Sequence, residues 1–237
     1  MPQSNIPPVI ILSGPTASGK TSLSLKIAQA LDAVIINADS KQVFKEIPIL
    51  SAQPTADEMG NIPHTLFSCV SIADDFSVSH WLKLAVAEIN KTQEQGKTPL
   101  LVGGTGMYIK SLVHGISPIP DIDPAIPAQA RAFANTEGAQ ALHQKLMDID
   151  PIMANRLKPG DSQRVARAYE VIQSTGKSLS YWQDQPLIQL VDTSQCHHFF
   201  LSPDRQHTYQ NCNTRFDAMV NAGVLEEAKH VDTLNLS

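Results

Sequence analysis

Gly14-Pro15-Thr16-Ala17-Ser18-Gly19-Lys20-Thr21 matches the pattern GxxxxGK[ST] in full. It stands between the apolar run Val9-Ile10-Ile11-Leu12 and a stretch, Ser22 to Leu31, in which Leu23, Ile27, Ala30 and Leu31 recur at helical spacing. Strand, glycine-rich loop and helix in that order leave few folds open. Glycine lets the backbone wrap a phosphate, and the loop amides and helix N-terminus supply positive potential. Lys20 adds a point charge and Thr21 a hydroxyl suited to Mg2+. A phosphate-bearing ligand is therefore expected against Gly14, Pro15, Thr16, Ala17, Ser18, Gly19, Lys20 and Thr21.

The rest of the chain continues the alternation. Ala33 to Asn37 reads as a second buried strand, followed by a polar loop from Asp39, and Ser77 is placed to cap a helix with Trp81, Ala85 and Ile89 on one stripe, ending near Gly96. Pro99 to Val102 makes a third strand, running into Gly103-Gly104-Thr105-Gly106 and a helix over Met107 to His114. Pro118, Pro120, Pro124 and Pro127 then break the pattern. Ala128 to Trp182 is helical in period, Cys196 to Leu201 returns as a strand, and helix resumes from about Pro203. The fold class is α/β, a P-loop NTPase-like parallel sheet flanked by helices with a smaller helical insertion domain. The expected division is a core at 1–117, an insertion at 118–195 and a return to the core at 196–237. The stop at Ser237, without cap or turn signal, reads as a truncation.

Charge narrows the partners. With 18 basic and 23 acidic residues the net charge is −5, so no global positive field attracts a polyanion and any nucleic acid must meet a local basic patch. Cys69, Cys196 and Cys212 lack the spacing of a metal site, and the expectation is three ordinary buried thiols in a reducing compartment. Met1 to Pro8 resembles no secretory signal and no apolar run is long enough for a membrane span, which points to a cytoplasmic protein without a membrane partner. His197 and His198 read as strand residues facing solvent and core, and Trp81 and Trp182 as packing residues.

A phosphate cradle does not identify what leaves the phosphate. The strand ending in Gly103-Gly104 lacks the acidic residue of a Walker B strand, while Asp39 stands at the carboxyl edge of the second strand, where doubly wound sheets bind ligands. Its carboxylate suits a proton acceptor, or simply a turn or helix cap. A small-molecule or nucleotide kinase using the loop for ATP remains open on these residues alone.

Taken together, GPTASGKT, DSKQVF, IPHTLF, VGGTGMYI, DSQRVARAYEVI and RFDAMVNAGVLEE, in that order, make the chain resemble the tRNA dimethylallyltransferase family, also called tRNA isopentenyltransferases. The resemblance covers nearly the whole chain. It implies transfer of a dimethylallyl group from dimethylallyl diphosphate to the exocyclic amine of the adenine 3′ of the tRNA anticodon. Asp39 would then accept the amine proton, with Thr105 near the target nucleotide. Thr16, Lys20, Thr21 with Mg2+, and Arg215 would neutralise the departing diphosphate. Ser40, Lys41 and Gln42 would read the flipped adenine. Gln163, Arg164, Val165, Ala166 and Arg167 match the family's tRNA-contacting stretch. Around them Arg156, Lys158, Arg164, Arg167 and Lys177 outnumber Asp161 and Glu170. Phe44, Gln53, Thr65, Pro127 and Asn211 stand where the family commonly carries other residues, the last two in place of arginines. A monomer is expected, and a binding protein that has lost transfer is the reading from a different class.

Overall fold

The computed structural model of the protein describes residues 6–234. The Met1 to Asn5 part of the stretch read above for a signal and the chain end at Ser237 lie outside them. Three apolar, β-branched runs form the centre, β1 (Val9–Ser13), β2 (Ala33–Asn37) and β4 (Thr98–Gly103), and every residue of the three except Thr98 is buried. Strands apolar on both faces must be covered on both faces, which is the condition of a parallel sheet. The two-residue β3 (His64–Thr65) and β5 (Cys196–Phe200) complete it in the order β3-β2-β4-β1-β5, all parallel, with Ile10 opposite Leu100, Val9 opposite Cys196 and Ala33 opposite Thr98.

Helix α1 (Lys20–Leu31) joins β1 to β2, a short α2 (Ala56–Met59) precedes β3, and α3 (Val78–Glu94) and α4 (Gly106–His114) flank β4 in sequence. Ser77 caps α3 as expected, its hydroxyl accepting the His80 N–H, and the Trp81, Ala85 and Ile89 stripe is buried with Leu82. Fully burying an aliphatic side chain of this kind contributes about 1.5–3 kcal/mol, so Ile11, Leu12, Ile35, Ile36, Leu100 and Leu101 account for much of the sheet's stability. Trp81 is a packing residue: its ring stacks on Tyr108 with centroids 4.3 Å apart, and its indole N–H donates to the Asn37 carbonyl at 2.9 Å.

The strands cross closely where they end. A Cβ at Gly103 would collide with the Ala38 backbone, whose N–H donates to the Val102 carbonyl at 2.8 Å, so only glycine permits this approach of β2 to β4. Strand β5 is one edge of the sheet, and Phe199 and Phe200 are exposed there. His197 and His198 are exposed too rather than shared between solvent and core; His198 Nε2 hydrogen-bonds Ser13 Oγ at 2.7 Å. Beyond β5 run α10 (Arg205–Asn221), capped by Asp204, and α11 (Val224–Asp232).

Residues 1–114 and 189–237 form one compact unit and 115–188 a second. The ends of the second lie at 115 and 188, against the expected 118 and 195, because Ile116 and Ile188 exchange both backbone hydrogen bonds and close it. It is built of α5 (Ala125–Glu137), α6 (Ala139–Ile149), α7 (Pro151–Arg156), α8 (Ser162–Thr175) and α9 (Leu179–Gln183). Their core is Leu142, Leu146, Met153, Ala154, Val165, Ala168, Val171 and Leu179. Trp182 packs against it, half-buried.

The thiols depart from expectation. Cys69 is exposed and Cys196 and Cys212 are only half-buried, since none of the three lies in a central strand or on an inward helical stripe. No helix among the described residues is long and apolar enough to cross a membrane.

Candidate active site

The carboxyl ends of β1, β2 and β4 meet at one edge of the sheet, and the glycine-rich loop rises from β1 there. The loop enters α1 through Gly19 at φ 87°, ψ 12°, a left-handed conformation that a side chain would disfavour. No side chain caps α1, so its first amides remain free to meet an anion. Lys20 Nζ lies back across the loop, donating to the Gly14 carbonyl at 2.9 Å and the Pro15 carbonyl at 2.7 Å, with Ser18 Oγ at 3.5 Å. Burial lowers its pKa; the Asp39 carboxylate opposes that shift and the Arg215 guanidinium adds to it. Three charged groups distant in sequence therefore sense one another in one place.

That place is a cavity of about 560 Å³, whose lining includes Thr16, Ala17, Ser18, Gly19, Lys20, Thr21, Asp39, Gln42, Gly103 and Arg215. Gly14 and Pro15 do not line it. They border a second cavity of about 570 Å³ with Gly104, Ile109, Val113, His198 and Phe200, so their contribution to the first is the pair of carbonyls that hold Lys20. A Cβ at Gly104 would lie 4.0 Å from both Asp39 Oδ2 and Lys20 Nζ, which places carboxylate and ammonium around one bare glycine.

Asp39 is held by its neighbours. Its N–H donates to Asn37 Oδ1 at 2.9 Å, the Asn37 amide donates to the Asp39 and Leu66 carbonyls at 3.0 Å each, and Asp39 Oδ1 accepts the Lys41 N–H at 2.9 Å. It is thus a turn residue whose second oxygen remains turned to the site. Its charge also reaches Tyr108, whose hydroxyl is pushed up to about 12, first by burial and then by Asp39. Thr105 Oγ1 accepts the Ser40 N–H at 2.9 Å and donates to Ser40 Oγ at 3.2 Å; neither residue, nor the exposed Lys41, lines the first cavity. Thr105 ties the ends of β2 and β4 together. Gln42 lines the cavity with its amide donating to the Ser51 and Ala52 carbonyls at 3.1 and 2.7 Å, beside His64 and Phe67.

The IPP transferase family model matches residues 42–236. The chain belongs to the IPP transferase family. As an IPP transferase it is 41% identical over 229 residues to the tRNA dimethylallyltransferase of Paramagnetospirillum magneticum, covering 97% of this chain and 72% of that protein. To that of Rickettsia bellii it is 42% identical over 219 residues, 92% of this chain and 70% of the other. Among solved structures it is similar to the full-length tRNA isopentenylpyrophosphate transferase of Bacillus halodurans, with TM-score 0.62 and 34% identity over 97% of this chain and 71% of that one. It also resembles a eukaryotic dimethylallyltransferase captured acting on tRNA, with TM-score 0.76 and 26% identity over 95% of this chain and 56% of that one.

In this IPP transferase the basic stretch on α8 divides between surface and interior. Gln163, Arg164 and Arg167 are exposed, with Arg164 3.7 Å from Asp161 and Arg167 3.6 Å from Glu170, surface pairs that an anionic ligand can displace at little cost. Val165 is fully buried in the helical core, so its side chain offers no surface to tRNA, because it shares the inward stripe with Ala168 and Val171; Ala166 is half-buried against the same core. Two site residues went unread in the sequence. Asn37 ends an apolar run and looks like an ordinary strand terminus, yet it is fully buried and orients Asp39. Asn211, given above as a departure, sits on α10 and donates to the Ala17 carbonyl at 3.1 Å, fastening the helix that carries Arg215 to the glycine-rich loop.

Proposed function

We propose that this chain transfers a dimethylallyl group from dimethylallyl diphosphate to the exocyclic amine of the adenine 3′ of the tRNA anticodon, releasing diphosphate. The observation that carries the reading is the convergence of Asp39, Lys20 and Arg215 on one cavity lined by the loop residues Thr16 to Thr21. The names of relatives covering most of the chain support it, as does the eukaryotic neighbour acting on tRNA. In the reaction the amine nitrogen forms a bond to the allylic carbon as the C–O bond breaks, its electron pair leaves with diphosphate, and the proton passes to the Asp39 carboxylate. Negative charge grows on the leaving group, where Lys20, Arg215, the Thr16 hydroxyl and the α1 amides provide fixed donors.

The residues fit Mg2+. Thr21 lines the cavity, and among the described residues no group of three or more His, Cys, Asp or Glu could cage an ion. An ion held by one or two protein oxygens, completing its shell with diphosphate oxygens and water, suits that donor set. Bound there by Thr21, it would supply further neutralisation of the leaving group. In this reading the exposed Gln163, Arg164 and Arg167 of the helical unit would meet the tRNA backbone, and Ser40, Lys41, Gln42 and Thr105, near the carboxyl ends of β2 and β4, would contact the adenine. A monomer in the cytoplasm completes the reading.

Purified chain incubated with dimethylallyl diphosphate, Mg2+ and unmodified tRNA carrying adenine after its anticodon is expected to yield prenylated adenosine on nucleoside mass spectrometry. ATP turnover without tRNA, and no prenylated product, would replace the reading by a kinase. Arg215→Ala is expected to weaken diphosphate binding by about tenfold or more, the loss of a charge-assisted contact, measured by calorimetry. Unchanged diphosphate affinity together with unchanged transfer would remove Arg215 from the site.

A further inference from the structure

Resting on that reading, we infer that Glu227 is a positioning residue for the nucleotide side of the site. Its carboxylate, on α11, accepts two backbone N–H groups of the loop after β2, Ile49 at 2.8 Å through Oε1 and Leu50 at 2.6 Å through Oε2. These amides open a tight turn in which Ser51 and Ala52 donate back to the Ile47 and Ile49 carbonyls. The carbonyls of the same Ser51 and Ala52 receive both hydrogen bonds of the Gln42 side chain, and Gln42 lines the cavity. One anion thus satisfies the open end of a turn whose other end aims a residue of the site.

The bonding chain is directional. Glu227 holds the turn and the turn holds Gln42, whereas Arg215 on α10 is fastened separately through Asn211 and the Ala17 carbonyl. Releasing Glu227 loosens the nucleotide side and leaves the diphosphate side in place. Carboxylate-to-amide hydrogen bonds are charge-assisted and are among the stronger ones a loop can have. The neighbouring Glu226 is exposed and, among the described residues, pairs with Lys229 at 2.8 Å, and it serves as the control.

Glu227→Ala is expected to raise KM for tRNA by about tenfold, with Kd for inorganic diphosphate and kcat within about twofold of the parent. Amide exchange at Ile49 and Leu50 should quicken. Glu227→Gln, which keeps the packing and one acceptor, should fall between, and Glu226→Ala should change nothing. A KM for tRNA unchanged in Glu227→Ala overturns the proposal, and so does a loss that only tracks the folded fraction or strikes diphosphate affinity equally. Failure of the parent chain to modify tRNA would instead overturn the function on which the proposal rests.

Discussion

Asp39→Ala is expected to lower prenyl transfer by about 10²- to 10⁴-fold, the contribution of a positioned proton acceptor, in a protein that still folds. Asp39 Oδ1 also braces the turn through the Lys41 N–H, so alanine removes two functions at once. Asp39→Asn separates them: the amide oxygen keeps that hydrogen bond but cannot take the proton, and its loss should match that of alanine. Removing the carboxylate also removes the charge that holds the Lys20 pKa up against burial. The Lys20 pKa then falls further, so any residual activity of either variant should lose its alkaline limb at lower pH than the parent. Single-turnover transfer against pH measures both effects. Near-normal transfer by folded Asp39→Ala would remove Asp39 as the acceptor.

Lys20→Ala is the second large effect, expected to cost about 10²- to 10³-fold in transfer, as for loss of one fixed donor to a developing anion. The ammonium donates to the Gly14 and Pro15 carbonyls, which hold it across the loop that lines the cavity, where a diphosphate would be a stronger, charged acceptor. Lys20→Arg should recover little, because a planar fork does not fit where a compact point charge sits among loop carbonyls. Calorimetry with inorganic diphosphate, beside transfer rates, is the measurement. Diphosphate affinity equal to the parent's in Lys20→Ala would sink the assignment.

Local features proved legible to different depths. The strand-loop-helix around Lys20 and the caps of α3 depend on residues a few positions apart, and the structure places them where the periodicity and Ser77 indicated. The Asp39 turn was one of the alternatives its position allowed, and it is both a turn residue and a lining residue of the cavity. Val165 differs from the resemblance within a correctly placed helix: a motif match covers a contiguous stretch, whereas the period of α8 turns Val165 inward with Ala168 and Val171. Cys69 was misread because composition says what a residue type usually does, and burial is decided by which element it joins.

By itself the sequence determined the glycine-rich loop between strand and helix, the parallel sheet and the helical unit, since backbone preferences and apolar periodicity are properties of neighbouring residues. Arg215 entered the site through the resemblance, and only the tertiary structure decided that it lies near Lys20 in one cavity with Asp39, that Asn211 fastens α10 to the glycine-rich loop, and that Glu227 holds the turn behind Gln42. Such contacts join segments far apart in the chain, and no local preference encodes them: they exist because closing the core brings α10 and α11 to the sheet edge, where unpaired amides, carbonyls and charges must find partners.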